Sequence, residues 1–281
     1  MRIIPKNPDD TVNIPKHHPL LEFLKVFLGF TIFLVIAYFV LGFVVNFVTP
    51  HISHDTEQKI AKTIYRTHKY ECPNVYPEQQ QWLQEQLNKL VSFWSDAPSF
   101  PLTVCIRKMS TRNAFAGPGG FITFSSEFFK PGASENEIIM VLSHEMGHYA
   151  HRHHLKSLGH TLGFLLLSVT LFDMDSEVTQ LVSKFTHVGS RQYSQAEEKE
   201  ADLFGLNLFV QYFGHAGGAT DFFLQEQKLK EKENRNPSLI HQFTSTHPTY
   251  KKRVQAMDHW IHKHGYEKKR ITYLPENLFI D

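Results

Sequence analysis

Residues 142–154 read LSHEMGHYAHRHH and hold five of the chain's 18 histidines. How this stretch is read decides the fold. With 18 histidines and 18 glutamates among 281 residues, chance alone gives an H-E-x-x-H somewhere with a probability of roughly 0.07. The pattern needs support from elsewhere. Ser134 and Glu137 are spaced as a capping box just upstream, which predicts that the stretch lies inside a helix. Helical residues four apart stand about 40° apart around the axis and about 6 Å along it, so His144 and His148 can face one ion. Glu145, about 100° round, is placed to take a proton from a metal-activated water instead of binding the metal. One catalytic Zn²⁺ per chain suits this pair. His151 lies a turn further along, His153 and His154 face elsewhere, and all three are read as outer-shell or surface residues.

A catalytic zinc takes a third protein ligand and keeps one position open. A carboxylate about twenty residues after the second histidine, the thermolysin-like spacing, would fall in LGFLLLSVT, which contains none. The next acids are Asp173, Asp175 and Glu177, then Glu197, Glu198, Glu200 and Asp202. A helix is expected from Ser194, which forms a second Ser-x-x-Glu box with Glu197. At 100° per residue, Glu198 and Asp202 share the apolar stripe of Ala201, Gly205 and Phe209, while Glu200 points away. Carboxylates on such a stripe are costly unless they are paired or bind a metal. Glu198 is therefore the candidate third ligand, and Asp202 the candidate for orienting a ligating histidine.

The rest of the chain frames this site. Lys+Arg 29 against Asp+Glu 28 leaves a net charge of +1, which gives no sign of a nucleic-acid partner. Residues 1–25 read as a proline-broken N-terminal tail. Residues 26–48 carry no charge and are long enough to cross a bilayer as one transmembrane helix. Lys25 abuts this span, whereas ten residues separate its far end from Lys59, which places the N-terminus inside and the remainder on the extracytoplasmic side. Residues 50–281 form the expected catalytic domain. Within it, EQKIAKTIYRTH and PEQQQWLQEQLNKLVSFW read as packing helices, the latter behind Pro77. LTVCIRK and GGFITFS read as strands of a small sheet with GPGG as a turn. LGFLLLSVTLF, residues 162–172, either packs in the core or dips into a membrane surface. Pro248 opens a last helix that stops before Gly265. Cys72 and Cys105 could form one disulfide or remain two free thiols.

HEMGHYAHRH, NAFAGPGG, EKEADLFG and STHPTYKKRV occur in the order in which HtpX-like and CaaX-prenyl-protease-like zinc metallopeptidases (peptidase family M48) carry their motifs. The chain resembles that family over residues 113–254. The resemblance implies an α+β, mainly helical zincin fold with a small sheet, preceded here by the membrane helix. It implies His144, His148 and Glu198 as zinc ligands and Glu145 as general base. It further implies that Asn113, Ala114, Phe115 and Ala116 form an edge strand where an extended polypeptide substrate adds. His247 would lie close to the metal, either stabilising an oxyanion or occupying the open position. One departure is Gln195, where relatives carry an arginine; Arg191 lies nearby, and Arg253 is read as structural. The expected function is a membrane-anchored metalloendopeptidase in membrane or envelope protein quality control. A non-proteolytic membrane chaperone or scaffold with a latched site is the alternative, and an Fe²⁺ hydrolase acting on small substrates is a weaker third. Oligomeric state is left open.

Overall fold

The computed structural model describes residues 18–67, 72–172, 193–233, 247 and 250–280. The chain divides into two compact units, Met1–Val44 and Val45–Asp281. The described part of the first is a stretch of one helix, α1 (Pro19–Val48), that continues into the second. α1 begins seven residues ahead of the expected Val26: Pro19 opens it, and Lys25 pairs with Glu22 one turn back at 2.9 Å. With the turn that follows, Pro19–His51 is long and apolar enough to cross a membrane.

The second unit is mainly helical with one small sheet. Its elements run α2 (His54–Thr67), α3 (Pro77–Val91), β1 (Thr103–Arg107), β2 (Ala114–Gly117), β3 (Phe121–Ser125), α4 (Glu135–Ala150), α5 (His153–Phe172), α6 (Gln195–Phe213), α7 (Asp221–Glu233) and α8 (Tyr250–Lys263). The strand order is β1-β3-β2, with β1 parallel and β2 antiparallel to β3, so β2 is an edge. Pro118–Gly120 closes the β2–β3 hairpin through positive φ at Gly119 and Gly120. A Cβ on Gly119 would come within 2.5 Å of Ala61 in α2, so this turn needs glycine for contact as well as for conformation. Three α2 side chains fasten it: Gln58 and Tyr65 donate to the Gly119 and Pro118 carbonyls, and Glu57 accepts the Gly119 N–H at 2.9 Å.

α4 is buried from Asn136 to Tyr149, which makes it the central helix. Ser134 caps it by accepting the Glu137 N–H, but Glu137 turns to Gln225 instead of completing the box. At Ser194 both halves of the box form. α6 packs on α4 backbone to backbone. A Cβ on Gly147 would lie 2.6 Å from the Ala201 carbonyl, and one on Gly205 would lie 2.8 Å from His144 N. Leu83, Leu87 and Leu90 of α3 join Val104, Ile106, Ile122 and Phe124 of the sheet in the core.

One expectation needs revising. α4 does not run through the histidine stretch: it ends at Ala150, Arg152 takes a positive φ of 56°, and α5 restarts at His153. Arg152 is held in that turn by donating to the Ile52 carbonyl at 2.5 Å. Residues 162–172, read as packing in the core or dipping into a membrane surface, leave Leu162 and Leu166 54% and 68% exposed. Of the two readings of the cysteines, the bonded one holds. Cys72 and Cys105 form a disulfide with Cα atoms 5.5 Å apart, tying the chain ahead of α3 to β1.

Candidate metal centre

The close packing of α6 on α4 brings the histidines and acids together. His144 and His148, one turn apart on α4, present Nε2 atoms 3.1 Å from each other. Glu198, from the first turn of α6, lies 3.7 Å from His144 Nε2 and 3.5 Å from His148 Nε2. His247 joins them: its Nδ1 is 2.8 Å from Glu198 Oε1 and 3.3 Å from His144 Nε2. All four side chains are buried, and one donor atom from each lies within 4.8 Å of the others, an arrangement that could hold a metal ion.

The protons show why a cation fits. Asp202 Oδ1 stands 3.0 Å from His144 Nδ1, and a carboxylate only accepts, so Nδ1 carries the hydrogen, the tautomer in which a metal-ligating imidazole presents its lone pair at Nε2. His148 is fixed through a longer chain. Glu200 accepts from His153 Nε2 at 3.1 Å, and burial lowers the His153 pKa to about 3, so its neutral ring keeps a lone pair on Nδ1. That atom is 2.9 Å from His148 Nδ1, which must donate. Burial also pushes the His148 pKa well below its ordinary value, so its Nε2 holds a lone pair too. Two lone pairs then face each other at 3.1 Å beside a carboxylate. This donor set suits a cation.

The acids are tuned by the same burial. Burial raises the pKa of Glu198, but His247, Arg253 and His148 outweigh it and hold the group well below its ordinary value. Burial opposes Asp202 in the same way, and Arg253 wins, giving a lowered pKa. Arg253 grips Asp202 with two bonds of 2.8 and 2.6 Å and reaches Glu198 Oε2 at 2.5 Å. Glu145 behaves oppositely: burial raises its pKa, only partly offset by His247 and His144. Its Oε2 accepts the Ala116 N–H at 3.0 Å. Its Oε1 is buried with no hydrogen bond among the described residues, with His247 Nε2 3.7 Å away.

The β2 edge lies against this carboxylate. Ser125 N–H donates to the Asn113 carbonyl, so by antiparallel alternation Asn113, Phe115 and Gly117 pair with β3 while Ala114 and Ala116 turn outward. In this conformation both outward residues are covered, Ala114 completely and Ala116 to 6% exposure.

Several contributors were not foreseen. His153 and His154, expected to face elsewhere as outer-shell or surface residues, are both buried; the first lies behind the ligand candidate His148, and the second bonds Glu57 at 3.1 Å. The break at His151 and Arg152 turns them inward, and nothing local in the sequence marks it. His151 remains exposed, as expected. Tyr193 stacks on His148 with ring centroids 3.9 Å apart. Arg253, read as structural, bonds both site acids. Asp173, Asp175, Glu177, Arg191 and Pro248 lie outside the described residues.

The family model described as Peptidase family M48 matches residues 77–261. The chain is 27% identical to the mitochondrial metalloendopeptidase OMA1 of Saccharomyces cerevisiae, over 54% of this chain and 44% of that protein. It is 25% identical to the Schizosaccharomyces pombe protein of the same name, again over 54% and 44%. To the metalloprotease LoiP of Escherichia coli it is 32% identical, over 51% of this chain and 56% of that protein. The chain spans about half the length of these curated relatives. With the family model covering well over half of its length, the chain belongs to peptidase family M48.

Proposed function

We propose that this chain is a membrane-anchored, zinc-dependent metalloendopeptidase, with residues 26–48 as the anchor and residues 50–281 as the peptidase domain. The observation that carries the reading is the meeting of two facing imidazole lone pairs with Glu198, beside a second carboxylate, Glu145, that is outside the donor set. A purely structural site has no use for such a base. His144, His148 and Glu198 would hold one zinc ion, which when bound polarises the scissile carbonyl and the attacking water. Glu145 takes the proton from that water and returns it to the leaving amine; its raised pKa brings it nearer to the water and amine it serves. Its bond to Ala116 N–H ties the base to the strand on which substrate would lie. Asp202 keeps His144 in the ligating tautomer, and the Glu200–His153 pair does the same for His148.

His247 favours a second element of the reading. Its Nδ1 sits closer to His144 and Glu198 than its Nε2 does to Glu145, so it fills out a four-donor set, while the outward edge of β2 is covered. Four protein donors describe a closed site. This conformation is therefore a latched one, from which His247 must withdraw before substrate binds. A scaffold whose site never opens is the competing reading. The Cys72–Cys105 disulfide supports placing the domain on an extracytoplasmic, oxidising side, and an edge strand that reads backbone supports misassembled membrane or envelope proteins as substrates.

The test is cleavage of casein by the purified full-length protein. Glu145→Gln should keep about one zinc per chain and lose activity by about 10²-fold or more. His247→Ala should raise cleavage if the residue is a latch and lower it if it binds the oxyanion. Equal cleavage by wild type and Glu145→Gln, or none by wild type and His247→Ala with zinc bound, refutes the peptidase.

A further inference from the structure

We infer that the second half of α5, residues 161–172, is itself sunk in the bilayer, so that the metal centre works directly at the membrane surface. The inference rests on the anchor reading of residues 26–48. Val45 belongs to that apolar segment, is only 7% exposed, and packs against Gly159: a Cβ on Gly159 would meet both Val45 methyls at 3.1 and 3.2 Å. Seven residues earlier, in the turn just ahead of α5, Arg152 bonds the carbonyl of Ile52, seven residues after Val45. Equal steps in opposite directions mean that α5 descends from the level of Ile52 past that of Val45. Whatever depth Val45 has in the bilayer, the residues beyond Gly159 continue inward from it.

Their chemistry agrees. The last cation of the descending helix, Lys156, precedes Gly159, and residues 161–172 contain no charged side chain. Leu162 and Leu166 face outward at 54% and 68% exposure. Two of the three hydroxyls of this half turn back onto the helix: the buried Ser168 donates to the Leu165 carbonyl and the exposed Thr170 to the Leu166 carbonyl, each at 2.8 Å. A polar group in lipid has no other partner to take. Twelve residues rise about 18 Å, enough to enter one leaflet but not to cross a core of about 30 Å.

The placement restricts the substrate. His153, which touches His148, lies only about 9 Å along the helix from Gly159. Polypeptide segments lying at or just emerging from the bilayer are the ones this centre can reach.

Single cysteines for a fluorescent label at Leu162→Cys, Leu166→Cys, Phe33→Cys in α1 and Lys263→Cys at the exposed end of α8 would be placed in the oxidised full-length protein. The proteins would be reconstituted in phosphatidylcholine–phosphatidylglycerol vesicles, with bound zinc measured to confirm folding. Quenching by nitroxide on the lipid chains should reach the labels at 162 and 166 to within about twofold of that at 33 and should spare 263. If 33 is quenched while 166 behaves like 263, the inference fails and the anchor stands. If 33 is not quenched either, both fall. A label at 166 shielded from lipid nitroxide and aqueous iodide alike would mean that protein covers this face, and would also overturn the inference.

Discussion

His148 is held through both of its ring nitrogens, one toward the candidate metal position and one toward His153, and His144 is held likewise by Asp202. Replacing the carboxylate that fixes a ligating imidazole lets the ring choose its other tautomer. Asp202→Asn should therefore weaken zinc binding by about 10–100-fold, read by competition with a chelator. A second carboxylate, Glu57, works away from the site. Burial pushes its pKa up, but His154 and the Gly119 N–H outweigh that, and the group titrates below its ordinary 4.5. A depressed carboxylate stabilises the fold above its unfolded pKa and loses that contribution as pH falls through the folded one. Glu57→Gln should be less stable than wild type in urea at pH 7, with the gap shrinking below about pH 4.5. Helical phase made His144, His148, Glu198 and Asp202 legible in the sequence. It misplaced His153, because phase holds only while the helix continues, and it could not tell that Arg253 meets Asp202 and Glu198, 51 and 55 residues earlier.

Elements came through where their signals are local. Pro77 opens α3, Ser194 and Glu197 box α6, and the GPGG turn joins β2 to β3. The order β1-β3-β2 had no such mark, since pairing β1 with β3 depends on where β2 goes once the hairpin closes. Contact between α4 and α6 depends on Gly147 and Gly205, whose added methyls would strike backbone, which cannot swing aside. Gly147→Ala should destabilise by about 1–3 kcal/mol and lower bound zinc, because separating the helices draws Glu198 away from the histidines. Gly29→Ala in α1, with nothing near its Cβ, is the neutral comparison in thermal denaturation.

For the whole molecule, the disulfide closes a loop across 33 positions of sequence and joins the segment before α3 to the sheet. Its reduction, or Cys72→Ser with Cys105→Ser, should cost about 3–4 kcal/mol in denaturant titrations of the zinc-loaded protein. The sequence left this bond undecided because the two cysteines share no local spacing pattern; only the packing of α3 on β1 brings them together.

The covered edge of β2 bears on how a substrate could be held at all. Once exposed, Ala114 and Ala116 offer four backbone groups, one of them already taken by Glu145. Three hydrogen bonds at about 1 kcal/mol each amount to binding weaker than millimolar, and the cost of uncovering the strand weakens it further. Such a strand cannot recruit chains from dilute solution. Confinement to a shared surface, which raises effective concentration toward the millimolar range without any added contact, would make up the difference.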